Sequence, residues 1–189
     1  MFRRIFIIVF LILNLALSCY AANTGAKYPT ATGEIYNDWT NPTNAYSDNN
    51  TDTSTSTNGD VQDYYTFTLG VPDTVASIDG IVVKIEAYDV LVDGTGQVYA
   101  NLSWNDGVTF TGSLTTGTLT NKRVVYTLGG ATNTWGRTWS ASEFSDANFK
   151  AAISSGIQST LCSIFVDYIT VDVYYTLPSG QVMTTTIIF

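Results

Sequence analysis

The sequence predicts an all-β protein, and more specifically an antiparallel β-sandwich of jelly-roll type with one short helical turn. The first observation is a long strand pattern near the end of the chain, where apolar and polar residues alternate strictly from residue 167 to residue 176. Such a period of two indicates a strand with one core face and one solvent face. The predicted core face carries Ile169, Val171, Val173 and Tyr175, and the predicted solvent face carries Tyr168, Thr170, Asp172 and Tyr174.

The second observation is that strand patterns recur at short spacing along the chain, with turn residues between them. These segments are residues 61–69, 78–88, 97–104, 108–114, 122–128 and 149–154. Glycine with proline, Asp-Gly and Gly-Gly pairs separate them. Only residues 142–150 have a helical pattern, which predicts one or two turns. Many short strands without alternating helices favour a β-sandwich over a parallel α/β fold.

Residues 1–21 have the pattern of an export signal. Arg3 and Arg4 precede an apolar run from Ile5 to Leu17, and small residues follow. The run is short for a bilayer span, which favours a cleaved signal and a secreted or cell-surface protein. An alternative hypothesis is lipid anchoring at Cys19, because residues 16–19 loosely match a lipoprotein signal. The predicted organisation continues with an N-terminal arm (22–33), the sandwich (34–176), and a tail or extra strand (177–189).

Charge and composition exclude several classes of function. Removal of the signal removes two arginines and no acid, which takes the formal charge from −8 to −10. Nucleic acid is therefore not the expected partner, because phosphate binding needs clustered cations. The chain has no histidine, which excludes histidine-dependent triads and imidazole metal sites. Cys162 is the only cysteine outside the signal and is interpreted as a small buried hydrophobe. What remains for catalysis is a pair of carboxylates, as in glycoside hydrolases, and nothing in the sequence singles out such a pair among the sixteen acids. We therefore predict a protein that is not an enzyme and needs no cofactor.

Calcium is a separate hypothesis, carried by a polar segment. Residues 47–59 contain only small, polar and acidic residues and are predicted to form a mobile surface loop. Within it, Asp48, Asn50 and Asp52 place oxygen ligands at alternate positions, as hard-cation loops do. The glycine at the sixth position of an EF-hand loop is absent, since Thr53 stands there.

Aromatic residues supply the second candidate site. Trp135 and Trp139 flank Arg137 in a short loop, and indoles present flat surfaces on which sugar rings stack. The predicted ligand-binding residues are these three together with Tyr168 and Tyr174 on the solvent face of the last strand. The alternative is that both tryptophans close the end of the sandwich while Arg137 stacks or pairs with an acid.

The segment from Gln181 to Phe189 is apolar and rich in threonine. It is interpreted as an edge strand or a frayed end. Alternatively, it is donated to the sheet edge of another subunit, or it precedes a domain that the sequence lacks.

Several segments together resemble one β-sandwich domain family. They are residues 38–45, 78–83, 135–139 (Trp-Gly-Arg-Thr-Trp), 144–149 and 166–175 (Val-Asp-Tyr-Ile-Thr-Val-Asp-Val-Tyr-Tyr). This family is widespread in secreted bacterial surface proteins and in phage-associated proteins, and the resemblance extends from Tyr36 to Thr176. It implies a β-sandwich and carries no catalytic residues. The functional prediction is a secreted binding or adhesion module for a glycan or another extracellular surface. The alternative is a subunit of an extracellular filament, matrix or phage particle.

Overall fold

The computed structural model describes residues 20–90, 96–159 and 161–179. Within these ranges the chain forms ten strands in two antiparallel sheets, and the predicted antiparallel β-sandwich is confirmed. The first sheet has the order β1-β10-β5-β8, with β3 also paired to β10, and the second has the order β2-β4-β9-β6-β7. The strands are β1 (Tyr20–Asn23), β2 (Ala31–Asn37), β3 (Thr53–Thr55), β4 (Val61–Tyr65), β5 (Ser77–Asp89), β6 (Gly96–Ser103), β7 (Leu114–Thr118), β8 (Val124–Gly130), β9 (Lys150–Ile157) and β10 (Ile164–Leu177).

The chain crosses repeatedly between the two sheets. From β4 to β10 every connection changes sheet except the one that joins β6 to β7. Such crossing connections are the kind found in Greek-key and jelly-roll sandwiches. The predicted helical turn is present as a 3-10 turn at Ala141–Phe144, and a second 3-10 turn follows Asn41 at Pro42–Ala45.

Strand β10 is the central strand of the first sheet and has partners along both edges. One edge pairs with β5 over most of its length. The other edge is covered successively by β3, a bridge from Tyr46, a bridge from Lys27, and β1. Parts of the predicted N-terminal arm are therefore paired with β10, through the end of β1 and through Lys27. The last part of the arm belongs to β2, which begins at Ala31. The core-face residues of β10 predicted by the alternation are all buried.

Two predictions about local structure are wrong. The polar segment 47–59 was expected to be a mobile loop, but it contains β3, whose Thr53 and Thr55 are buried against β10. Threonine can be buried here because its hydroxyl is hydrogen-bonded: that of Thr53 donates to the carbonyl oxygen of Thr40. The strand expected at residues 108–114 starts only at Leu114, and Phe110 makes an isolated bridge to Ser103.

Several other predictions concern residues outside the described ranges. Residues 1–19 of the export signal, which include Cys19, and the segment from Gln181 to Phe189 lie outside them. These predictions stay untested. Within the described part of the chain, no helix has the length and apolar character needed to cross a bilayer.

Candidate functional site

The predicted tryptophan platform lies in the core. Trp135 and Trp139 are each only 5% exposed, so their ring faces are not available for a sugar. The Trp135 indole N–H donates to the carbonyl oxygen of Ile81 at 3.0 Å, and that of Trp139 donates to the carbonyl oxygen of Thr134 at 2.8 Å. The assignment of ligand contacts to these two residues is therefore corrected. Large aromatics bury more apolar area than other side chains, and at this end of the sandwich that area closes the core.

Arg137 follows the alternative expectation in both of its parts. Its guanidinium lies 4.0 Å from the ring centroid of Trp104 and 4.3 Å from that of Trp139. It also pairs with Glu143 at 2.7 Å. Glu143 in turn accepts a hydrogen bond from the backbone N–H of Ser140, which caps the 3-10 turn. Arg137 thus links the end loop to the capped turn.

A different group of polar side chains lies on the outer face of the first sheet, the face turned away from the second sheet. The carboxylates of Asp48, Glu86 and Asp167 converge there, with one oxygen of each within 4.8 Å of the others. We call these three residues the acid cluster. Asp48 is exposed, Glu86 is half-buried and Asp167 is fully buried, so the cluster extends from solvent into the protein.

A β-bulge in β10 brings Asp167 into this cluster. The register between β10 and β5 shifts between Val166 and Tyr168, so that Val166 pairs with Ala87 and Tyr168 with Glu86. Asp167 is the extra residue, and bulges re-aim side chains in this way. The apolar pattern shows the same shift, because Val166 and Ile169 both enter the core although three positions separate them. This change of parity is a sequence signal for the bulge at Asp167, although it does not indicate that Asp48 and Glu86 meet Asp167.

Arg123 and Asp52 form a separate ion pair beside the acid cluster. The guanidinium of Arg123 binds both carboxylate oxygens of Asp52, at 2.7 and 2.8 Å, and also donates to the backbone oxygen of Asn50. The Tyr88 hydroxyl donates to Asp52 at 2.9 Å. The contacts of Arg123 with Glu86 and Asp167 are longer, at 3.9 and 3.8 Å. Arg123 therefore binds Asp52 directly and reaches the acid cluster only as a neighbouring charge.

These contacts correct the predicted calcium ligands. Of Asp48, Asn50 and Asp52, only Asp48 belongs to the acid cluster. The Asp52 carboxylate is held by Arg123 and Tyr88, and the backbone of Asn50 adopts a left-handed conformation with a φ of 62°. Alternate positions in a loop predict convergence only if the loop closes around one point, and here the segment continues into β3 instead.

Tyrosine rings border the acid cluster. Tyr28, which is 38% exposed, packs edge-on against Tyr168 with 5.8 Å between ring centroids. Tyr88 stacks on Phe165, with 5.0 Å between the ring centroids. Tyr168 is only 8% exposed, because the segment before β2 and the residues around Tyr46 cover it. Tyr174 is half-buried farther along β10, beside Asn23 of β1. Of the predicted ligand residues, Tyr168 alone borders the cluster.

The cluster perturbs the acidity of its members and neighbours. Burial raises the pKa of the Glu86 carboxyl, and Asp167 and Asp48 raise it further, while Arg123 acts in the opposite direction. Burial also raises the pKa of Tyr28, as do the nearby charges of Asp48 and Asp167. Both shifts have the direction expected where nearby carboxylates make the electrostatic potential negative.

Comparison with known proteins places the chain in no family. No family model matches it, and no curated protein matches it. Among solved structures, it is similar to a truncated AlyQ with CBM32 and alginate lyase domains, at 13% identity and a TM-score of 0.46, over 87% of this chain and 36% of that one. It is also similar to the CBM36-1 domain of a multidomain xylanase from the hindgut metagenome of Trinervitermes trinervoides, at 10% identity and a TM-score of 0.37, over 87% and 100% of the two chains. Likenesses this distant identify no ligand, so the site is argued from its own residues.

Proposed function

We propose that the protein is an extracellular, non-enzymatic binding module whose ligand is a carbohydrate held on the outer face of the first sheet. The observation that carries the proposal is the exposed ring of Tyr28 beside the acid cluster. A sugar has an apolar face that packs on an aromatic ring and hydroxyl groups that donate to carboxylates. Binding sites combine apolar surface with a few placed polar groups in the same way.

The contacts around Tyr28 support this assignment. Its ring is oriented by Tyr168, which is itself packed against the sheet, so that little conformational freedom is lost when a ligand binds. Asp48 is exposed and offers acceptor oxygens at the same place. The negative charge of the site also favours a neutral sugar over an acidic one, because like charges repel.

A hydrolytic role has less support than binding. Glycoside hydrolases use two carboxyl groups that both reach the scissile bond. Asp167 is fully buried and lies beneath Glu86 and Asp48, so it does not contact a molecule at the surface. The accessible pair is then Glu86 and Asp48, and hydrolysis would require one of them to act as the acid and the other as the base or nucleophile.

A glycan array tests the proposal when a matched pair of variants is included. Tyr28 and Tyr36 are both 38% exposed, but Tyr36 lies in β2 of the second sheet. We expect the protein to bind a subset of glycans, Tyr28→Ala to lose at least about tenfold in affinity, and Tyr36→Ala to bind normally. A tenfold loss corresponds to about 1.4 kcal/mol. An array without any binding, or equal binding by Tyr28→Ala, would refute the proposal.

The alternative of strand-addition assembly through Gln181 to Phe189 stays a prediction. Light scattering and electron microscopy of the protein with and without these residues test it. Filaments that disappear on deletion of the segment would favour a structural subunit. A protein that is monomeric with and without the segment would favour the binding module.

A further inference from the structure

We propose that Asp48, Glu86 and Asp167 bind a divalent cation of the hard, oxygen-preferring class, and that Ca²⁺ is the ion that fits best. The inference does not depend on a carbohydrate ligand. It differs from the ligand set expected from the sequence, because two of its three residues come from strands distant in the chain.

The spacing of the carboxylates fits such an ion. Calcium binds oxygen ligands at about 2.3–2.6 Å, so two ligands on opposite sides of the ion lie about 5 Å apart or less. One oxygen from each acid lies within 4.8 Å of the other two. A single ion between them can therefore contact all three side chains.

Asp167 supplies an independent observation. Its side chain has no solvent exposure, and neither carboxylate oxygen has a hydrogen-bond partner among the residues that the structure describes. Buried polar groups are almost always hydrogen-bonded, and a buried charge needs a counter-charge in contact. Arg123 comes no closer than 3.8 Å because Asp52 holds it. An ion in the acid cluster would provide the contact that Asp167 lacks.

The donor set determines the class of ion. It consists of carboxylate oxygens, without imidazole or thiolate, and this favours Ca²⁺ over zinc or copper. Three carboxylates outweigh the single nearby guanidinium, whose charge Asp52 already balances. A cation can reach the cluster from solvent, because Asp48 lies at the surface. Water can occupy the coordination positions of the ion on that side. The competing explanation is a proton shared between Glu86 and Asp167, which would relieve their repulsion without a metal.

Calcium titration of protein freed of metal with a chelator distinguishes the two. Isothermal titration calorimetry and thermal unfolding would be measured for the unchanged protein, Glu86→Gln and Asp167→Asn. The matched control is Asp172→Asn, which removes a carboxylate from the same strand outside the cluster. We expect saturable binding of Ca²⁺ and a higher Tm for the unchanged protein and the control, and at least about a tenfold loss of affinity in both cluster variants.

Unfolding in chelator shows that the variants are folded, and Asp48→Asn, at an exposed position, provides a third variant with the same expected loss. A shared proton predicts that Ca²⁺ neither releases heat nor raises the Tm of the unchanged protein. That result, or unaltered calcium binding by Asp167→Asn, would overturn the proposal. A response to Mg²⁺ but not to Ca²⁺ would overturn the choice of ion.

Discussion

Arg137 and Glu143 are joined by a salt bridge of 2.7 Å, and the same guanidinium packs against the rings of Trp104 and Trp139. These contacts connect the loop after β8 with the 3-10 turn before β9. Arg137 and Trp139, which the sequence suggests as ligand-binding residues, therefore stabilise one end of the sandwich. Trp135 donates to the carbonyl oxygen of Ile81 in β5, and Glu86 of the acid cluster is in the same strand. Five residues separate Ile81 from Glu86, which is roughly 16 Å along an extended strand. The end loop and the acid cluster are thus separate features.

Replacement of Arg137 by alanine is expected to lower the free energy of unfolding by about 1–2 kcal/mol, because it removes both the ion pair and the cation–π contacts. Arg137→Lys should recover only part of this, since an ammonium group lacks the planar surface that stacks on indole. Urea denaturation of the two variants measures the difference. Equal stability of Arg137→Ala and the unchanged protein would mean that these contacts contribute nothing.

The pH dependence of stability should reflect Glu143. Burial alone would raise its pKa, but hydrogen bonds from Arg137 and the backbone of Ser140 outweigh burial and lower the pKa below its usual range. A lowered pKa in the folded state stabilises the fold above the unfolded value of about 4.3 and loses this contribution as the pH falls through the folded value. Glu143→Gln should therefore be less stable than the unchanged protein at pH 7, and the gap should narrow towards pH 3. A gap that is constant with pH would contradict the lowered pKa.

Lys150 combines a buried stem with partly exposed partners. Its side chain is 1% exposed, and its ammonium group contacts Glu34, Asp106 at 3.0 Å and the Tyr65 ring. Because both acids are about half exposed, water can solvate them when the lysine is replaced. Lys150→Met, which keeps the packed volume, should change the free energy of unfolding by less than about 1 kcal/mol, whereas Lys150→Ala should cost about 2–4 kcal/mol through a cavity. A Lys150→Met variant as unstable as Lys150→Ala would show that the charge, and not the packing, matters.

Gly129 is expected to tolerate no side chain. It has a φ of 79°, and an added Cβ would lie 2.2 Å from the carbonyl oxygen of Ile81 and 2.7 Å from the indole nitrogen of Trp135. Gly136 has a φ of 78°, but in the described part of the chain no atom beyond its sequence neighbours lies within 4 Å of the added Cβ, and it is the matched control. Gly136→Ala should cost about 1–2 kcal/mol from backbone strain alone. Gly129→Ala should cost clearly more, because it also breaks the hydrogen bond between Trp135 and Ile81, and thermal unfolding of the pair would show whether it does.

Alternation of apolar residues was sufficient to predict the sandwich, since Val171 and Val173 must face the core whatever their neighbours are. It was not sufficient for β3, where polar threonines are buried and the hydroxyl of Thr53 is hydrogen-bonded to the backbone. The alternation of apolar and polar residues gives no sign of such bonds. The site was missed for a related reason. Asp48, Glu86 and Asp167 meet only through strand pairing and a bulge, and nothing in their spacing along the chain indicates it. Trp135 and Trp139 were misassigned because an indole serves a core and a ligand platform equally well in sequence.

The most direct test of the account is a crystal structure of the protein grown with Ca²⁺, with the ion located by its anomalous scattering. The account predicts an anomalous peak about 2.3–2.6 Å from a carboxylate oxygen of each of Asp48, Glu86 and Asp167. The absence of a peak there would contradict it, as would a carboxylate oxygen of Glu86 about 2.5–2.7 Å from one of Asp167, the distance expected if the two carboxyl groups share a proton.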